Sequence, residues 1–136
     1  MTNKEYAQKQ IKQGAYVLKN NGDPNQLIEG IRLLENRQNL DTYDLMTIAI
    51  GYEKLGEYDL AVKILTYCID TLTDSPIRNG LQGIMYRNLM KKNKHNKYFE
   101  EYKTKAIEAF YMALTHETSE TLKEIWDFSS IEIERI

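Results

Sequence analysis

The chain has 136 residues and a mass of 16.0 kDa, which fits one domain with a core of its own. Charged residues make up 28% of it, and the longest uncharged apolar-rich run, Leu45 to Tyr52, is far too short to cross a bilayer, so no membrane span is expected. A net charge of −2 disfavours a dedicated nucleic-acid binder while leaving room for a local basic patch.

Only two prolines and seven glycines interrupt the chain, which favours long elements. A first helix is expected over 3–20. Gly22 follows where that helix must stop and the chain reverse, a place that often needs positive φ. Asp23-Pro24 opens a helix over 24–38: the capping oxygen accepts an orphan backbone N–H, and proline at the first helical position loses no hydrogen bond. Asp41 or Thr42 caps a helix over 41–55, with Asp44 in its first turn favoured by the helix dipole. Gly56 marks the next reversal, before a helix over 57–72. Ser75-Pro76 opens a helix over 76–92, and two more are expected over 96–116 and 118–134. Residues 91–98 read equally as a turn or as part of a longer helix. No stretch alternates as a strand would, so the expected class is all-α with about seven helices.

Shifted by 34 residues, the chain overlays itself. Gly22 falls on Gly56, Ala15 on Ala49, Ala49 on Gly83 and Tyr52 on Tyr86, so that Asn21-Gly22-Asp23 and Leu55-Gly56-Glu57 become equivalent turns. Each period holds two helices and two short turns. Thr42 to about Ser75 resembles a tetratricopeptide repeat (TPR), with Leu45, Ile48, Ala49 and Tyr52 on the first helix, Gly56 and Tyr58 at the turn, and Ala61, Leu65 and Cys68 on the second. Cys68 stands where the family usually has alanine. Residues 8–41 are similar through Ile11, Gly14, Ala15, Leu18, Gly22, Leu27, Ile31 and Leu34, with Leu27 at another alanine position, which implies a wider crossing there. A third unit over 76–116 joins Gly83 and Tyr86 to Ala106, Phe110 and Ala113, with 11 extra residues around Lys91 to Tyr102. The resemblance implies a right-handed superhelix of antiparallel helix pairs in a single domain over 1–136. It also implies a scaffold, adaptor, chaperone, regulatory inhibitor or peptide-recognition role in the cytoplasm.

The same pattern has a physical basis. Small residues let helix backbones approach, and Tyr52, Leu65, Tyr86 and Phe110 fill the space beside them. A lone pair cannot bury its own apolar face, so pairs stack. The helix over 118–134 reads as a cap, with Leu122, Ile125, Trp126, Ser129 and Ile133 on one face. Phe128, Ile131 and Ile136 do not fit that face; they read either as a contact with a partner or second copy, or as isolated surface residues.

Catalytic motifs are sparse. GxGxxG, GxxxxGK[ST], GxSxG and CxxC do not occur. His116-Glu117-Thr118-Ser119-Glu120 resembles a zinc-protease helix but lacks the second histidine. His95 reads as a solvated loop residue and Cys68 as a core filler. No enzyme activity, cofactor or metal is therefore expected. A single cysteine leaves no internal disulfide and fits a reducing compartment. The start, Met1-Thr2-Asn3-Lys4-Glu5, carries no apolar stretch resembling a signal peptide.

Charge is segregated. Residues 87–105 balance to +5 and residues 106–136 to −5. Lys91, Lys92, Lys94 and Lys97 form a candidate basic patch, followed by Tyr98, Phe99 and Tyr102, a mixture suited to gripping phosphate or stacking bases. Nucleic-acid association through 91–105 is thus the alternative to protein binding. The opposite charges also allow head-to-tail association, and a homodimer is compatible with the chain.

In such an array the first helix of each pair lines a groove. Its groove-facing residues are those left over after packing against the second helix. In the first pair these are Lys9, Lys12, Tyr16 and Lys19; in the second, Tyr43, Met46, Ile50 and Glu53; in the third, Ile77, Gly80, Ile84 and Arg87, with Leu81 and Asn88 beside them. Apolar and aromatic anchors with cationic flanks suit a peptide with apolar side chains and some negative charge. One family subtype clamps a C-terminal carboxylate. Lys12 and Gln13 are compatible with it, but Thr47, Ile77 and Leu81 are not, so that specificity is not expected.

Overall fold

The computed structural model describes residues 1–73 and 75–136, and every regular element among them is a helix. In chain order these are α1 (Asn3–Lys19), α2 (Asn25–Glu35), α3 (Thr42–Lys54), α4 (Tyr58–Thr71), α5 (Pro76–Lys92), α6 (Phe99–His116) and α7 (Glu120–Glu134). The sequence reading takes the chain as a single domain; its contacts divide it into two compact units, 1–61 and 62–136, with the boundary inside α4.

Local chemistry sets the helix ends. Asp41 and Asp44 form a reciprocal capping box at α3, each carboxylate accepting the other's backbone N–H at 2.8 and 3.0 Å. Ser75 caps α5 by accepting the Arg78 N–H, with Pro76 in the first turn as expected. Asp23 accepts the Asn25 N–H at 2.9 Å, and α2 starts one residue after Pro24. Asn93 ends α5, and Asn96 donates to its side chain, so 93–98 form a turn.

The two expected glycine reversals differ. Gly56 has φ +79, with Gly56 N–H bonded to Glu53 O and Glu57 N–H to Tyr52 O, the paired bonds of a left-handed helix stop. In the α1–α2 turn the left-handed residue is Asn21 (φ 65), not Gly22. Asn21 and Gly22 N–H groups bond to Leu18 O and Val17 O in the same pattern. Gly22 is needed for another reason: a Cβ there would lie 2.3 Å from Val17 Cγ1.

In the first unit α1 and α2 lie antiparallel in contact. A Cβ on Gly14 would stand 2.3 Å from the Leu27 backbone nitrogen, and one on Gly30 would stand 2.7 Å from that of Ile11. The crossing is therefore close, not widened by Leu27, because the small residue is supplied by the opposite helix. α3 lies against both, with Gly51 over Ile31. Ile11, Leu27, Ile31, Leu34, Ile48 and Ala49 are buried. Lys4 bridges α1 to Asp41 (3.2 Å) and to the buried Asp44 (3.0 Å), and Tyr52 donates to Glu35 from α3 to α2.

In the second unit α5 and α6 are antiparallel and α7 folds back along α6. Phe110 and Trp126 stack at 6.1 Å between centroids. Gly80 and Gly83 of α5 make room for them: a Cβ at either position would come within 2.3–2.6 Å of the Trp126 or Phe110 ring. Trp126 Nε1 donates to Glu117 at 3.0 Å. Leu65, Cys68, Ala106, Ala113 and Ile133 are buried.

Candidate functional site

The first-pair stripe forms a recognisable surface. Lys9, Lys12, Gln13, Tyr16 and Val17 of α1, with Gln26 of α2, line an open depression of about 660 Å³. These α1 positions share a broad face at helical spacing. Gln26 reaches it because the Asn21 reversal returns the chain along α1; its amide donates to Gln10 at 2.6 Å and Gln13 at 3.1 Å. Tyr16 is 70% exposed and Val17 is 37% exposed. The lining holds two ammonium groups and no carboxylate. It suits an apolar side chain flanked by negative charge. Lys19 is exposed on the same helix but does not line the depression. Val17 and Gln26 were missed by pattern reasoning; the single available signal was an aliphatic residue falling off the packed face.

The second-pair positions divide. Tyr43 is exposed and Ile50 half-buried, whereas Met46 is 2% exposed and Glu53 is buried. Met46 is a core residue because α3 buries Asp44, Ile48 and Gly51 on one side and Met46, Ala49 and Glu53 on the other.

The third-pair positions are corrected more strongly. Leu81, Ile84, Arg87 and Asn88 are all buried. α7 lies along this face: Trp126 stands against Gly80, and Glu132 lies 3.9 Å from Arg87. Ile84 sits between these two points on the same row. Asn88 donates to Ile84 O at 2.8 Å, and its Oδ1 has no partner among the described residues.

The candidate basic patch lies on the 93–98 turn and its approach. Lys92, Lys94 and Lys97 are exposed and Lys91 is half-buried. Lys97 lies 5.3 Å from the centroid of the exposed Tyr98 ring. Tyr102 instead stacks on Tyr86 at 6.3 Å, with Lys105 over Tyr86, so it serves packing.

In the first unit Lys4, Asp41 and Tyr52 have shifted protonation. Hydrogen bonding to Asp44, then Asp41, raises the Lys4 ammonium. The Asp44 backbone N–H holds Asp41 below the usual carboxylate value. Burial, then the bond to Glu35, pushes Tyr52 up to about 12. None of the three lines the depression. Cys68 is buried, and burial raises its thiol, which opposes the reactive thiolate. No group of three His, Cys, Asp or Glu among the described residues is placed to hold a metal, and no helix among them is long and apolar enough to cross a membrane. Comparison with family models, curated proteins and solved structures finds no match to the chain.

Proposed function

We propose that the chain is a non-catalytic protein- or peptide-binding module, an adaptor, chaperone or regulatory inhibitor. In this reading it is built as a short TPR-like array and acts in the cytoplasm. The observation that carries the reading is the α1 depression, where Lys9, Lys12 and Tyr16 meet Val17 on an open surface. Antiparallel hairpins with glycines at their crossings support the repeat architecture. The working surface is Lys12, Tyr16 and Lys19 with Tyr43 and part of Ile50; the buried third-pair positions serve the core. Wild-type chain and a Lys12→Glu, Tyr16→Ala variant, immobilised side by side in native extract, test it. Both positions are exposed, so helicity is kept. Loss of specific captured proteins from the variant is expected; identical capture overturns the proposal.

The exposed lysines and Tyr98 of the 93–98 turn favour a second reading, nucleic-acid association. It requires salt-sensitive binding of a single-stranded oligonucleotide that disappears in Lys94→Glu, Lys97→Glu.

A further inference from the structure

The outer face of α7 carries an exposed apolar pair among charged residues. Phe128 is 67% exposed, and Ile131, three residues on, shares its face and is exposed too. The packed row Trp126, Ser130 and Ile133 points the other way. Exposed Glu124 and Asp127 flank the apolar pair, and Arg135 follows at the helix end.

The α1 depression is the chemical converse of this face. It sets Lys9 and Lys12 beside Tyr16 and Val17. Residues 1–22 balance to +3 and residues 106–136 to −5. We infer that the α7 face of one copy docks in the α1 depression of a second copy, Phe128 and Ile131 against Tyr16 and Val17, with Glu124 and Asp127 opposite Lys9 and Lys12. The second copy is the occupant because the chain itself carries both complementary halves. The contact is heterologous, a different patch on each copy. Its charge component is salt-sensitive, since exposed pairs are screened as ionic strength rises. The inference rests on the depression being a docking surface and adds its occupant.

Sedimentation equilibrium of the full chain tests it, at low ionic strength and at about 1 M salt, where the screening length falls to about 3 Å. The wild-type mass is expected to rise above 16.0 kDa with concentration at low salt and to return toward it at high salt. Phe128→Asp is expected to remain monomeric with unchanged far-UV circular dichroism. Lys9→Glu, Lys12→Glu and Glu124→Lys, Asp127→Lys are each expected to be monomeric alone and to associate when mixed, because the mixture restores opposite charges. A monomeric wild type at low salt, association that survives either reversal, or a mixture that stays monomeric overturns the inference. A monomeric wild type that still captures a foreign partner through Lys12 overturns this pairing alone and leaves the proposed function standing.

Discussion

Gly14→Ala sets two known effects of opposite sign against each other. In an exposed helix interior the change stabilises by about 1 kcal/mol, because glycine is the poorer helix former. At Gly14 the new Cβ would lie 2.3 Å from Leu27 N, 2.6 Å from Leu27 Cα and 2.8 Å from the Gln26 carbonyl carbon, whereas ordinary contact begins near 3.4 Å. All three neighbours are backbone, so no side chain can swing away, and α1 and α2 must separate by roughly 1 Å, which forfeits a quarter or more of the dispersion energy of the interface contacts. Overpacking costs about 1–3 kcal/mol, and this rigid contact belongs at the upper end. The expected net loss is about 1–2 kcal/mol, read as a lower urea midpoint by far-UV circular dichroism. Gly51→Ala is the contrast: its Cβ would meet Ile31 Cδ1 and Cγ1 at 2.9 Å, both side-chain atoms. Ile31→Val removes one of them and is expected to relieve part of the Gly51→Ala loss while leaving Gly14→Ala unrelieved. Gly56→Ala, with nothing within 4 Å and φ +79, isolates backbone strain at roughly 1–2 kcal/mol. A Gly14→Ala chain as stable as wild type or more so would refute the close crossing.

Trp126, the single tryptophan and fully buried, is expected to emit at short wavelength and to shift red on unfolding; Trp126→Ala is expected to cost roughly 3–5 kcal/mol, measured by the same urea titration. Asp41 is held below its usual pKa by the Asp44 N–H. Its stabilisation is therefore present above about pH 4 and is lost as pH falls through the depressed value, and Asp41→Asn is expected to show a shallower acid decline in unfolding midpoint. Tyr52 is raised to about 12, so its contribution is present below the ordinary value of 10.0 and is lost between there and about 12. Tyr52→Phe is expected to remove the last-titrating fraction of the 295 nm tyrosinate absorbance and to flatten the alkaline decline.

Helix ends and core positions were legible because each has a local cause. Asp41 with Asp44, and Ser75 with Pro76, satisfy backbone donors that any helix start leaves open. The small residues Ala49, Ala61, Ala106 and Ala113 are all fully buried. Turn register was less legible. Asparagine tolerates the left-handed region almost as glycine does, so Asn21-Gly22 offers two candidates for one stop, and the hydrogen bonds to Val17 and Leu18 select Asn21. The equivalent turns are thus Asn21 and Gly56, 35 positions apart, not 34. The 93–98 turn rests on asparagine side chains: Asn93 bonds Leu89 O, and Asn96 accepts the Tyr98 N–H. That competition with the helix ladder is invisible to hydrophobic periodicity.

The stripes read on α1 and α5 differ in burial because the two helices have different neighbours. A groove stripe repeated from pair to pair requires each first helix to keep a free face. That holds for α1, which buries only Ala7, Ile11 and Gly14 and so leaves Lys9, Lys12 and Tyr16 in solvent. It does not hold for α5, which packs on α6 through Gly83 and on α7 through Gly80 and Arg87. A helix with neighbours on two sides spreads its small and apolar residues around its circumference and loses the one-sided pattern from which an outward face is read. Of these two helices, α1 is the one whose burial is one-sided and whose remaining face stays free.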